Sequence, residues 1–402
     1  MKKLFKIFAV LSFIIVIFLL NFSGCRRGNG AAVQRENLFT LGFGRLEDEI
    51  DLFDMQGNRS DRRTSIAMRD GLIYIANGNG QKVCRYTSYG DILFMVYNDE
   101  SNPAPLTLAL GNPGKEAGDS VVTKWANSYP LEEPGLIAID SRKHFYVEDR
   151  IPYEMHYYDE KAGAYLDSTV LHFDDEGNFV EYLGREGPGG TAFPRIQGLY
   201  TSVQDELAVV CRIASGWNIH WFRPDGSLAY YRHIANEAIP GASEGLFAEI
   251  DNIVAAPDSR ALYIKVDYFR MTYDESTQTL SGSAADSSKI WIMNMERGEY
   301  TESFEAPLFD ENLFYTLLGA TAEGKIFMNF PIDTGYQIVI LDISDSANVQ
   351  QRISTIEVKP DELQYNTFAI SNEGIMTGLL AGSDDAKIVW WRTDRIVNEM
   401  DE

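Results

Sequence analysis

The sequence predicts an all-β fold made of one unit repeated six times, and three observations carry that prediction. First, six pairs of apolar, β-branched and aromatic runs recur along the chain. The leading members are Leu72–Ile75, His144–Val147, Leu207–Val210, Leu262–Lys265, Lys325–Met328 and Ile375–Gly378. Their followers are Lys82–Tyr86, Thr169–Phe173, Asn218–Phe222, Lys289–Met293, Gln337–Leu341 and Lys387–Trp391. Second, a further strand precedes each leading run, separated from it by turns rich in Asp, Asn and Gly, such as Arg69-Asp70-Gly71 and Asn372-Glu373-Gly374. Third, turn glycines follow four of the second runs, at Gly90, Gly177, Gly226 and Gly298, and outer strands such as Ile92–Val96 and Phe179–Tyr182 come next. Four antiparallel strands per unit and six units without helical periodicity describe a six-bladed β-propeller; a solenoid would show shorter, more regular periods.

The chain opens on a different kind of segment. Lys2, Lys3 and Lys6 form a basic stretch, Ile7–Phe22 is apolar apart from Ser12 and Asn21, and Ser23-Gly24 places small residues before Cys25. At about 16 residues the apolar run is shorter than the ~20 of a spanning helix, so residues 1–24 are expected to be a signal peptide rather than a transmembrane anchor. The ending resembles a bacterial lipobox, which implies lipidation of Cys25, palmitate among the acyl groups, although Phe22 stands where Leu is usual. Residues 25–36 are then a short polar tether and residues 37–399 the propeller, held on the periplasmic or extracellular side of a membrane in the bacterial cell envelope. Leu38–Phe43 precedes the first unit and is expected to supply an outer strand to the last blade, because that blade's own candidate, Arg395-Ile396-Val397, is weak.

Composition removes some functions. The net charge is −24, and cleavage before Cys25, which takes away three lysines and no acids, moves it to −27. Such charge repels nucleic acid and anionic headgroups, so attachment would come from acyl chains. Apolar residues at 45% and aromatics at 12% allow a large core. Cys84 and Cys211 fall in different units and are expected to be buried free thiols, since a disulfide tolerates Cα separations only up to about 7 Å.

The units resemble the NHL-repeat class of six-bladed propellers. The match is strongest over Val170–Phe179, continuing through Leu183-Gly184 and Gly187–Gly190 to Phe193-Pro194, and recurs at Gly71–Asn77. The later units match in strand rhythm only. The resemblance implies a scaffold with ligand sites on one face.

Departures from the repeat concentrate on that face. Residues 97–133 join the first two blades, and residues 150–168 and 268–288 split the second and third strands of blades two and four. The two splitting inserts share a Tyr-Asp-Glu pattern before a polar turn. They offer Tyr157, Tyr158, Asp159 and Glu160 in one case, and Tyr268, Phe269, Arg270, Tyr273, Asp274 and Glu275 in the other, as candidate contacts for a peptide or glycan. Glu148, Asp149, Asp267, Asp333, Asp384 and Asp385 follow or border second strands and are candidates for the channel mouth, either as a divalent-cation site or as a solvated acidic rim.

Two catalytic signatures are missing: there is no HExxH spacing, and the Gly184–Gly190 cluster has no helix after it to make a phosphate cradle. No metal ligand set, cofactor or catalytic residue is assigned. The sequence therefore points to a monomeric binding or scaffolding module for a protein or peptide partner in the envelope. The alternative is a propeller enzyme of lyase or lactonase type using a divalent metal at the channel.

Overall fold

In the computed structural model, residues 32–401 are described apart from 55, 112–122, 161, 244, 275, 278 and 346–347. The signal-peptide and lipidation readings around Cys25, and the candidate Glu275, lie outside the described residues.

Alternating apolar residues separated by tight turns produce consecutive antiparallel strands, each turn joining neighbours in space. Six sheets have four or more strands among the described residues. In sheet 1 the order from the inside is Thr64–Arg69, Leu72–Asn77, Lys82–Tyr86 and Ile92–Tyr97. Sheet 2 runs Ile137–Ile139, Phe145–Arg150, Ser168–Phe173 and Phe179–Gly184. Sheet 3 has Ile196–Thr201, Leu207–Ile213, Gly216–Phe222 and Leu228–Ala235. Sheet 4 has Leu246–Ala255, Ala261–Tyr273, Leu280–Asn294 and Glu299–Ala306. Sheet 5 has Thr316–Ala320, Lys325–Ile332, Gly335–Asp342 and Gln350–Glu357. Sheet 6 has Tyr365–Ile370, Met376–Ala381 and Ala386–Trp391, with Arg35–Phe43 as its fourth strand.

Each inner strand packs beside the inner strand of the next sheet, and Tyr365–Ile370 of the last sheet packs beside Thr64–Arg69 of the first. The arrangement is a β-propeller. Its inner strands line a central channel of about 280 Å³.

Cohesion comes from the apolar faces between sheets. Between sheets 1 and 2, Tyr74, Phe94, Phe145 and Phe173 are buried together, with Phe145 stacked on Phe94 at 5.4 Å and on Phe173 at 5.0 Å. Burying one such side chain contributes roughly 1.5–3 kcal/mol. Trp221 and Trp391 are equally buried, as packing rather than ligand-facing residues. Cys84 and Cys211 are buried free thiols, as expected.

The N-terminal strand closes the last sheet. Arg35–Phe43 pairs antiparallel with Ala386–Trp391, setting Leu41 against Ala386 and Thr40 against Lys387. Glu362, buried beside this seam, binds Arg35 of the N-terminal strand and Lys387 of the strand it pairs with, the latter at 2.7 Å.

Two features differ from the sequence reading. Arg395-Ile396-Val397 is not a strand; it belongs to helix α1, Asp394–Asp401, which the N-terminal strand makes possible by occupying the outer edge of sheet 6. Val397 and Met400 on that helix are buried against sheets 5 and 6. Within the 97–133 connection, Trp125–Ser128 and Ala109–Leu110 extend sheet 1 beyond its outer strand in parallel pairing. No helix among the described residues is long and apolar enough to cross a membrane.

Candidate functional site

Where inner strands begin, the residues just before them surround one end of the channel. Arg63 precedes the inner strand of sheet 1, Gly135 that of sheet 2, Arg195 that of sheet 3, and Tyr365 starts that of sheet 6. These four line one cavity of about 590 Å³, together with Arg59, Asp61, Arg62, Glu133, Glu148, Arg150 and Asp167. Five arginines meet there in a chain whose net charge is −24.

Their pairing is incomplete. Arg63 binds Glu148 at 2.8 Å and also donates to the Ile196 carbonyl at 3.2 Å, reaching from sheet 1 across the mouth to sheet 3. Arg62 and Arg150 share Glu133, at 3.9 and 3.6 Å, and Arg150 has Asp167 at 3.7 Å. Burial raises the Glu133 carboxyl above the usual range, against the pull of Arg150 and Arg62. Arg59 lies over the Tyr365 ring, 4.5 Å from its centre. Among the described residues, neither Arg59 nor Arg195 has a carboxylate partner, and both are exposed. Tyr365 is fixed by exchanging two hydrogen bonds with the Thr64 backbone, at 3.0 and 2.6 Å.

Behind this cavity Asp149 holds a loop. Its buried carboxylate accepts from the backbone N–H of Glu132 at 3.2 Å and of Glu133 at 2.7 Å. Burial pushes that carboxyl up to about 7, outweighing the backbone donors that pull it down. Asp149 thereby places Glu133 between Arg62 and Arg150.

The acids picked from sequence divide. Glu148 lines the mouth. Asp149 does not face it, because its position on the second strand turns the side chain under the Glu132-Glu133 loop. Asp267 is also buried, bound to Lys265 at 2.6 Å and Ser288 at 2.6 Å on sheet 4. Asp333 and Asp384 are exposed and Asp385 half-buried, in the turns Ile332–Gly335 and Ala381–Ala386 at the hairpin ends of sheets 5 and 6. No three His, Cys, Asp or Glu side chains group as a possible metal site among the described residues. Sheet-by-sheet spacing keeps these acids apart, and each buried one already has donors.

The two inserts are hairpins, as expected. Tyr157–Asp159 pairs with Ala164–Leu166, leaving Tyr157, Tyr158 and Glu160 exposed, while Asp159 binds Arg185 at 3.1 Å. In the second insert the outcome is mixed. Tyr273 and Asp274 are exposed, and Asp274 is occupied capping Ser276 and Thr277. Tyr268 is not a surface contact: it is 1% exposed, donating to the Pro240 carbonyl at 2.7 Å and accepting from Trp291 at 2.8 Å. Phe269 stacks on Phe247 at 5.1 Å, and Arg270 is paired with Asp286. Tyr268 and Phe269 lie on a ribbon whose base continues the sheet, so their side chains pack where a free loop would expose them, whereas Arg270 stays exposed.

The arginines were not picked from sequence. A signal was present in Arg59-Ser60-Asp61-Arg62-Arg63, three cations in five residues of an acidic chain. Arg150 and Arg195 carry no such local mark, and only the ring brings them to the same place.

No protein-family model and no curated protein matches the chain. Solved structures similar to it include hydrazine synthase from Kuenenia stuttgartiensis, 10% identical over 83% of this chain and 85% of that one, with a TM-score of 0.44. A gluconolactonase from Xanthomonas campestris is 12% identical over 91% of this chain and 99% of that one, with a TM-score of 0.38. A polysaccharide lyase, an ulvan lyase bound to a GlcA–Rha3S saccharide, is 12% identical over 89% and 83%, also at 0.38. Likeness at this level does not bear on which ligand the mouth takes.

Proposed function

We propose that this chain is a lipid-anchored binding module of the bacterial envelope, whose arginine-lined channel mouth captures an acidic segment of a protein or peptide partner. One observation carries the reading: five arginines converge on one cavity, and Arg59 and Arg195 among them have no carboxylate of their own among the described residues. Guanidinium groups present a planar fork that matches a carboxylate in two parallel hydrogen bonds. The exposed tyrosines of the Tyr157–Leu166 hairpin stand on the same face and supply apolar contact beside the charges.

We further read the six sheets as the six blades of one NHL-like ring, the N-terminal strand closing it next to a short tether from Cys25. That tether keeps the ring close to its membrane. The alternative is a lyase or lactonase using a divalent metal at the channel, which a stoichiometric divalent ion retained after dialysis would favour.

A fluorescein-labelled glutamate-rich peptide, titrated with the detergent-solubilised full chain and followed by anisotropy, tests this. The glutamate peptide should bind and its glutamine counterpart should not, and Arg59→Gln with Arg195→Gln should weaken binding by about tenfold or more. Equal binding of the two peptides would end the proposal.

A further inference from the structure

The five arginines of the mouth are not equally available. Arg63 is committed: Glu148, which binds it at 2.8 Å, also accepts from the Leu136 backbone N–H at 2.9 Å, and Arg63 donates in addition to the Ile196 carbonyl. Arg59 and Arg195 are exposed and open to an anion. Arg62 and Arg150 stand between these cases. The carboxylate they share, Glu133, lies 3.9 and 3.6 Å from them, beyond hydrogen-bond reach.

Glu133 combines a fixed backbone with a loosely held side chain. Pro130 and Pro134 bracket it and restrict the chain. Leu131 is fully buried, Asn98 Nδ2 donates to the Leu131 carbonyl at 3.0 Å, and Gln81 Nε2 donates to the Glu132 carbonyl at 2.9 Å. Asp149 accepts the Glu133 N–H itself at 2.7 Å. The Glu133 carboxylate, by contrast, accepts no hydrogen bond among the described residues, and its side chain is 22% exposed. Rotation about its own side-chain bonds carries it into solvent while the loop stays in place. Its neighbour Glu132 is exposed, lies outside the cavity and has no ion pair among the described residues.

Distant, partly solvated ion pairs of this kind contribute little. A ligand carboxylate that reaches Arg62 or Arg150 in the close, two-pronged geometry of a guanidinium fork makes a stronger contact than the one it replaces. It cannot do so while Glu133 stands there. Once Glu133 leaves, Arg62 is free and Arg150 keeps only Asp167, at 3.7 Å.

We propose that Glu133 is a built-in competitor of the mouth, a tethered carboxylate that occupies Arg62 and Arg150 in the free protein and swings out when an acidic segment takes them. This rests on the reading of the mouth as a receptor for acidic segments, and adds that the resting chain is held below its full affinity.

Anisotropy of the labelled glutamate-rich peptide, at one pH and ionic strength, compares the full chain with Glu133→Gln and Glu132→Gln, which remove the same charge from neighbouring residues. Glu133→Gln should tighten binding about tenfold, and Glu132→Gln should change it by less than about twofold. Adding Arg62→Gln and Arg150→Gln to Glu133→Gln should abolish the gain. Should Glu133→Gln fail to fold, or its amide hold the arginines in turn, Glu133→Ala must produce the gain instead. Equal effects of the two neighbouring substitutions, weaker binding without Glu133, or a gain that survives loss of both arginines would overturn the competitor and leave the mouth a receptor. Glutamate and glutamine peptides bound alike by the parent and by every variant would remove the mouth and the competitor together.

Discussion

Asp149 shows how one side chain can couple the mouth to acidity. Its folded carboxyl titrates at about 7, well above the ordinary 3.8. The native state therefore binds a proton more tightly than the unfolded chain, so this residue's contribution to stability is full below about pH 4 and is lost as pH rises through about 7. His172 and His220 act in the opposite sense. Burial lowers them to about 4 and about 3, so they favour the fold above about pH 6.5 and withdraw that support as pH falls through those values. Asp149→Asn isolates the aspartate. Relative to the parent, the variant should gain stability at pH 8 and gain little at pH 5, measured by denaturant unfolding. An equal effect at both values would mean that the carboxyl is ionised throughout. Because Asp149 positions Glu133 between Arg62 and Arg150, the same variant should also alter peptide affinity. The sequence could not reveal this residue's setting. Asp149 and Glu148 are adjacent acids, and only strand alternation sends one into the cavity and the other beneath a loop.

Among the elements, the N-terminal strand matters most. Leu41 is buried in the core shared by sheets 6 and 1, and Leu41→Ala should cost about 2–5 kcal/mol in denaturant unfolding, the range for a truncated core leucine. An effect near zero would show that sheet 6 holds without its fourth strand. Glu362 joins the same seam. Burial alone would raise its carboxyl, but hydrogen bonds from Arg35 and Lys387 hold it down at about 2. Its support is accordingly present above about pH 4.5 and lost as pH falls towards 2. Glu362→Gln should therefore flatten the acid limb of the stability profile. This strand was readable in advance because Leu38–Phe43 is an orphan β-run and the sixth unit lacks a good outer strand. Helix α1 was not readable. Arg395–Val397 has β-branched character, and only the occupied sheet edge turns it away from the sheet. Tyr268 is buried for a related reason: its strand runs on inside the core for several residues past the point where the repeat ends.

For the whole molecule, the repeat acted as a coordinate frame. Strand rhythm located the insertions on one face, and the arginine cavity opens beside the base of the hairpin from the first splitting insert. Charge is distributed unevenly over this frame. The body is strongly acidic, while the mouth gathers cations from sheets 1, 2 and 3. An acidic partner would thus be repelled at a distance and held only on contact, which predicts that moderate salt speeds association by screening the repulsion while weakening the final complex. Stopped-flow measurement of the glutamate-rich peptide at low and moderate salt reads both effects; a slower association on adding salt would exclude the long-range repulsion. Most of this convergence is invisible along the chain, because Arg63 and Arg195, more than a hundred residues apart, come to line one cavity only through the ring.

The most direct test is to find where the acidic segment sits. A glutamate-rich peptide carrying a photo-activated crosslinker, irradiated with the full chain and mapped by mass spectrometry, should modify the segments around Arg59–Arg63, Glu148–Arg150, Arg195 and Tyr365. It should lose those adducts in the Arg59→Gln, Arg195→Gln variant. Adducts confined to the Ala261–Asn294 ribbon, or spread evenly over the surface and unchanged in that variant, would contradict a binding mouth.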